Sequence, residues 1–162
     1  VDEIIVFVEG PSDSGFVDCI MKRFGVSSKT LIMRGNRPGK LLRYVKVYHN
    51  KARKVVVLKD LHGRSQAEIE RLVNEITSKI RQLTNLHVSV IVVRKSIESW
   101  FLSDPKVIEK VFGCRIEVGN PEEIADPSSF LNEELMKRCG KRYVKSRENS
   151  RKIAEAIELM RF

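Results

Sequence analysis

The chain lacks a long apolar run. No stretch approaches the ~20 residues that a membrane-spanning helix requires. Strand-like sequence begins at Glu3 with no basic segment ahead of it, unlike a secretory signal. No membrane-spanning helix is therefore expected, and a cytoplasmic location is. Only three cysteines occur, Cys19, Cys114 and Cys139, far apart and in no CxxC pair. They argue against a disulfide framework or a structural zinc knot, and they suit a reducing compartment. GxSxG, HExxH and GxGxxG are missing too, which removes the usual signatures of serine hydrolases, zincins and dinucleotide binders. Gly35-Asn36-Arg37-Pro38-Gly39-Lys40 has one residue too few between its glycines for a Walker A loop, and Leu41 stands where Ser or Thr would bind magnesium. What remains there is a basic loop opening a helix whose N-terminus could hold a phosphate.

Charge is present in excess and unevenly. Thirty Lys and Arg against 21 Asp and Glu give a net charge of +9. Between Arg34 and Lys54 lie eight basic residues and no acidic one; between Lys137 and Lys152 lie eight more against Glu148 alone. The rest of the chain is net negative. An excess concentrated in this way points to a basic surface facing a polyanion, either DNA or RNA. Its bland counterpart is a solvated, salt-bridged face.

Hydrophobic periodicity predicts alternating strands and helices. Strands are expected at Glu3–Val8, Thr30–Met33, Lys54–Lys59 and His87–Val93, each short and apolar. Helices are expected over Asp13–Phe24, Gly39–His49 and from a Ser65 cap to Leu83, where Ile69, Leu72, Val73, Ile76 and Ile80 fall on one face. After Asp104-Pro105 the pattern changes to short helices and turns, and a last helix is expected from Ser146 to Met160. Continuous apolar strands joined by helices imply an α/β fold: a parallel sheet of about four strands covered on both faces. Residues 1–104 form this core and 105–162 a helical extension packed on it, within a single compact domain.

Three acidic motifs stand at or just past predicted strand ends. Val8-Glu9-Gly10-Pro11-Ser12-Asp13 follows the first strand, Lys59-Asp60-Leu61-His62-Gly63 the third, and Glu98-Ser99-Trp100-Phe101-Leu102-Ser103-Asp104 comes soon after the fourth. Neighbouring parallel strands lie only ~4.8 Å apart, so carboxylates at their C-terminal ends can converge, where ligands of open α/β sheets commonly bind. Magnesium favours such oxygen ligands and works beside phosphates. Each residue also has a plainer reading. Asp13 suits a helix first turn, as does Glu98. Asp104 before Pro105 suits a helix cap, and Trp100, Phe101 and Leu102 suit a core. Glu9 is hardest to explain away, because a carboxylate ending a buried strand is costly unless paired or metal-bound.

Together these motifs resemble a Toprim domain, the metal-binding fold shared by topoisomerases, bacterial primases, OLD-family nucleases, recombination-repair proteins and ribosomal-RNA-maturing ribonucleases. The third motif is most similar to stand-alone and OLD-like members. The resemblance covers roughly Val1 to Asp104. It implies a Toprim-like (Rossmann-like) sheet that holds Mg2+ or Mn2+. Glu9 would be a general acid/base or metal ligand, Asp60 a metal ligand, Glu98 the third carboxylate, and Asp13 a support or further ligand. Tyr143-x-Lys145 ahead of the last helix is similar to the basic C-terminal segment of OLD-like members. An ATPase or other protein is a candidate partner, since OLD-like Toprim domains are often fused to an ATPase. The chain departs from the family at His62, where a second aspartate is usual. Imidazole is a poor magnesium ligand but serves manganese, iron or zinc. His62 could retune the metal, shuttle protons, or mark a site that no longer holds two ions.

The preferred expectation is a metal-dependent nuclease or related phosphodiester enzyme. Glu9, Asp60 and Glu98 are its catalytic residues, with Asp13 and His62 added to the metal set. Arg34, Arg37, Lys40, Arg43, Lys141, Arg142 and Lys145 would contact nucleic acid. The alternatives are a non-catalytic Toprim-like module that binds nucleic acid or protein, and a phosphohydrolase for a small phosphorylated molecule.

Overall fold

Four strands form one parallel sheet in the order β2-β1-β3-β4. They are β1 (Glu3–Val8), β2 (Ser28–Ile32), β3 (Ala52–Asp60) and β4 (His87–Val93). The computed structural model describes residues 3–34, 38–60 and 63–159. Arg37, His62 and Met160 therefore lie outside the described residues. Two strands have the expected bounds, whereas β3 runs longer at both ends than its apolar stretch. It is paired on both sides, with β1 through Phe7↔Val57 and with β4 through Asp60↔Val93. The β1 pairing stops at Val57, and the ladder with β4 alone holds Lys59 and Asp60 extended.

The helices are α1 (Pro11–Arg23), α2 (Pro38–Tyr48), α3 (Gln66–Leu83), α4 (Ile97–Leu102), α5 (Pro105–Phe112), α6 (Pro127–Cys139) and α7 (Arg147–Ala156). α3 begins at the expected Ser65 cap, which the structure shows as a capping box: Ser65 Oγ accepts from the Glu68 amide and Glu68 accepts from the Ser65 amide. Asp104 caps α5, accepting from the Lys106 amide at 3.2 Å. α7 ends earlier than expected, because Ile157 turns extended at ψ 130.

Side-chain alternation splits the sheet into two faces. Ile5, Phe7, Val55 and Val57 pack under Leu41 and Val45 of α2 and Ile76 and Ile80 of α3. Val6, Val8, Leu58 and Val93 face the other way, toward Val17 and Met21 of α1. The opposite side of α1 carries Phe16 into a second core made with α4, α5, α6 and α7, including Ile97, Phe101, Ile108, Leu131 and Ile153. α1 is thus buried on two sides, which is why its first turns hold small residues. A β-carbon on Gly15 would run into the Arg147 carbonyl of α7, so only glycine lets the two helices approach this closely. Ser150 Oγ seals the contact by donating to the Ser12 carbonyl at 2.6 Å.

Two expectations are corrected. Trp100 is 39% exposed while Phe101 and Leu102 are buried. At about 100° per residue the buried residues of α4, Ile97, Glu98, Ser99, Phe101 and Leu102, fill one side of the helix and Trp100 falls on the other; the Trp100 ring rests at the margin, 6.0 Å from that of Phe16. The cysteines also do not stay apart. Cys114, just after α5, is disulfide-bonded to Cys139 at the end of α6, with α-carbons 6.0 Å apart. Helix packing made neighbours of residues 25 positions apart, which spacing could not reveal, and the cysteine argument for a reducing compartment falls with it. Cys19 is free. Among the described residues no helix is long and apolar enough to cross a membrane.

Closing a loop of this length limits the unfolded chain by about 3 kcal/mol. Reduction, or Cys139→Ser, is expected to lower the melting temperature by about 10 °C for a domain of this size. Calorimetry with and without dithiothreitol measures it, and equal melting temperatures would show that the bond contributes nothing.

Candidate active site

The chain order places a crevice at the carboxyl ends of β1 and β3. From β1 the chain leaves through α1 on one face to β2; from β3 it leaves through α3 on the other face to β4. Neighbouring strands whose connections diverge in this way leave a gap at their C-terminal ends. Glu9 follows β1 there. Two positions beyond the Phe7–Val57 pair it comes level with Lys59, and its carboxylate meets the Lys59 ammonium at 3.3 Å. Lys59 is only 7% exposed. Burial pulls its pKa below the usual lysine range, and the Glu9 charge opposes that shift. Asp60 is also buried, on the opposite face of the strand from Lys59 by alternation, and its charge contributes to the field that Lys59 feels.

Asp13 sits at the third position of α1, behind the Gly10 cap. One oxygen, Oδ2, accepts from the Gly10 amide at 3.0 Å. Its other oxygen is buried and accepts no hydrogen bond. Its cap role is therefore real and incomplete. Burial raises its pKa above the ordinary carboxylate value, the Gly10 bond and Lys145 oppose that, and the charges of Glu98 and Glu9 push it further up. Glu9, Asp13 and Glu98 thus share one electrostatic field.

Glu98 stands in the first turn of α4 and is fully buried. A helix-dipole contact alone does not require that. The helical extension supplies its partners: Tyr143 Oη donates to Oε1 at 3.0 Å, and Lys145 Nζ lies 3.4 Å from Oε2. Burial, then the Glu98 charge, raises the Tyr143 phenol far above its ordinary value, so it stays a donor. The segment bearing both residues is anchored behind them. Cys139 is bonded to Cys114, the Lys141 ammonium donates to the Phe112 carbonyl, and the Phe112 ring stands edge-on to Tyr143 at 6.2 Å.

The donor chemistry of this cluster suits a hard cation: all its candidate ligands are oxygens, and Asp13 Oδ1 and Glu98 Oε2 are buried without a hydrogen bond. The arrangement is not a formed coordination sphere. Among the described residues no three His, Cys, Asp or Glu side chains stand close enough to hold a metal ion. Lys59 and Lys145 stand beside Glu9 and Glu98 and supply positive charge there. His62 and Arg37 lie outside the described residues.

The basic residues divide by task. Arg34, Arg43 and Arg142 are exposed, and Lys40 reaches back to the Arg34 carbonyl at 3.5 Å. Lys141 is committed to the end of α5. Lys145 is 44% exposed and faces Glu98. Sequence reasoning missed Lys59, whose only linear signal was a charged residue ending an apolar strand; its partner Glu9 is set by strand register. It had no signal for the Tyr143–Glu98 bond across 45 positions.

A family model, the domain of unknown function DUF4276, matches residues 8–162, and the chain belongs to that family. No curated protein and no solved structure matches it.

Two stability measurements probe the cluster. Asp13 has a raised folded pKa, so the folded protein keeps a proton that the unfolded chain has already released. Its stabilising contribution is complete below the unfolded pKa and lost as pH rises through the folded one. At neutral pH the ionised group is therefore a cost, and Asp13→Asn should melt higher than wild type there, with the gap closing in acid. A variant that melts lower at every pH would contradict this. Tyr143→Phe leaves a buried Glu98 oxygen unsatisfied and is expected to cost about 1–3 kcal/mol, measured by urea denaturation. In wild type the same phenol, with its raised pKa, favours the fold below about pH 10, and that contribution declines at higher pH.

Proposed function

We propose that this DUF4276 member is a divalent-metal-dependent phosphodiester enzyme acting on nucleic acid, a Toprim-like nuclease. One observation carries the reading: Asp13 of α1 and Glu98 of α4 are buried, and with the half-buried Glu9 just past β1 they share a common field at the carboxyl end of a parallel sheet. Carboxylates are not gathered in a dry crevice for stability, since each like charge raises the cost of the next. Together with Asp60 they are the residues that would hold magnesium or manganese. When bound, such an ion would polarise a phosphodiester oxygen and lower the pKa of a water.

The chain's own residues have further roles in this proposal. Glu9, kept in place by Lys59, accepts a proton at its carboxylate. Tyr143 keeps Glu98 aimed inward. Lys145, partly exposed beside Glu98, can turn toward a substrate phosphate. Arg34, Lys40, Arg43 and Arg142 supply backbone contacts whose strength falls with salt. A second reading, a non-catalytic nucleic-acid-binding module, is favoured by the two lysines, which already neutralise Glu9 and Glu98 as an ion would.

Cleavage of labelled DNA and RNA with magnesium or manganese tests both. The enzyme reading expects metal-dependent cleavage that Glu9→Gln and Asp60→Asn each reduce by about 100-fold or more, with polymer affinity within about threefold of wild type because the basic segments carry it. Salt-sensitive binding without cleavage under either metal selects the binding module. Parallel loss of binding and cleavage in both variants would count against the enzyme.

A further inference from the structure

A cavity of about 490 Å³ opens beside the carboxylate cluster, lined by Gly63 after β3, Lys95 and Ser96 after β4, Asp126 and Ser128 at the start of α6, and Lys145. Its volume is in the range of small-molecule sites. Three features distinguish it from a surface dent. The Ser96 hydroxyl is buried there and has no hydrogen-bond partner, although Ser96 occupies a cap position where its side chain would ordinarily bond to the helix. Buried hydroxyls are rarely left so. Lys95 holds a left-handed backbone at φ 69, a conformation costly for a residue with a β-carbon and most often retained where function requires it. Its ammonium uses one donor on the Ile124 carbonyl at 2.5 Å, which fixes the head group and leaves other donors open. Lys145, the third feature, brings a second ammonium to the same space.

The one carboxylate on the wall does not oppose an anion strongly. Asp126 turns both oxygens back into the first turn of α6, accepting from the Ser129 amide at 3.0 Å and from the Ser129 hydroxyl at 2.8 Å. The cavity therefore presents two ammonium groups and an unused hydroxyl, a donor set for a phosphoryl group.

From this placement we infer that the cavity is a subsite for one nucleotide of the substrate, its phosphate bound by Lys95, Lys145 and Ser96 Oγ. The inference rests on the phosphodiester reading for its ligand class. Lys145 would then stand between Glu98 and the bound phosphate, giving a substrate a way to draw the ammonium off the carboxylate.

Binding to the full chain in a metal chelator tests the subsite apart from cleavage. Calorimetric titrations use thymidine monophosphate, thymidine and inorganic phosphate. Wild type is expected to bind the monophosphate about tenfold more tightly than thymidine, and more tightly than inorganic phosphate. Ser96→Ala removes no hydrogen bond of the fold, so it should keep the melting temperature while weakening the monophosphate roughly tenfold; Lys95→Ala should weaken it at least as much. Equal affinity for thymidine and its monophosphate overturns the inference, as does wild-type binding in both variants. Inorganic phosphate bound as tightly as the nucleotide overturns the assignment to a substrate unit. A protein with the expected preference that cleaves nothing keeps the subsite and loses the phosphodiesterase; one that cleaves without the preference does the reverse.

Discussion

Complete burial of the Glu98 carboxylate constrains much of the rest of this molecule. Taking such a group out of water costs several kcal/mol unless hydrogen bonds and an opposite charge replace the lost solvent. Both replacements come from one short segment, through Tyr143 and Lys145. That segment can reach α4 only because α6 and α7 pack around it. The disulfide, the Lys141 contact and the Phe112 ring hold its near end. Gly15 and Ser150 hold α7 against α1 beyond it. The helical extension is thus the wall that completes the crevice at the end of the sheet.

The same logic ties stability to function. Asp13 is more burial-stressed than a cap requires, and Glu9 and Lys59 form a pair with little solvent around it. Replacing such groups with neutral ones generally favours the fold. The proposed function gives that cost a reason, since stability and activity commonly trade against one another at working sites. The lysines matter in either reading of the protein. They keep the carboxylates tolerable without a metal, and they place positive charge where a phosphate would arrive.

Much of the framework was legible. The apolar runs at Glu3–Val8 and His87–Val93 located β1 and β4, and Ser65 marked the start of α3. The basic runs and the strand-end acids were equally plain as patterns. The extension was legible as short helices and turns, but its packing was not. α5 and α6 are set by Asp-Pro starts and glycine stops, but their apolar positions serve a core assembled from five helices, so no single segment displays it. Trp100 was misjudged because helical rotation carries it out of the arc that Phe101 and Leu102 share.

Sequence alone determined the local chemistry: which stretches are strands, which residues cap helices, and that Glu9, Asp13, Asp60 and Glu98 stand at or near strand ends. These follow from neighbours within a turn or a pleat, whose geometry is the same in any fold. Only the tertiary structure decided the pairings. Lys59 meets Glu9 through strand register, Tyr143 and Lys145 meet Glu98 through helix packing, and Cys114 meets Cys139 through the approach of two helix ends. Such contacts join residues remote in the chain, and a linear pattern carries no record of the distances that folding closes.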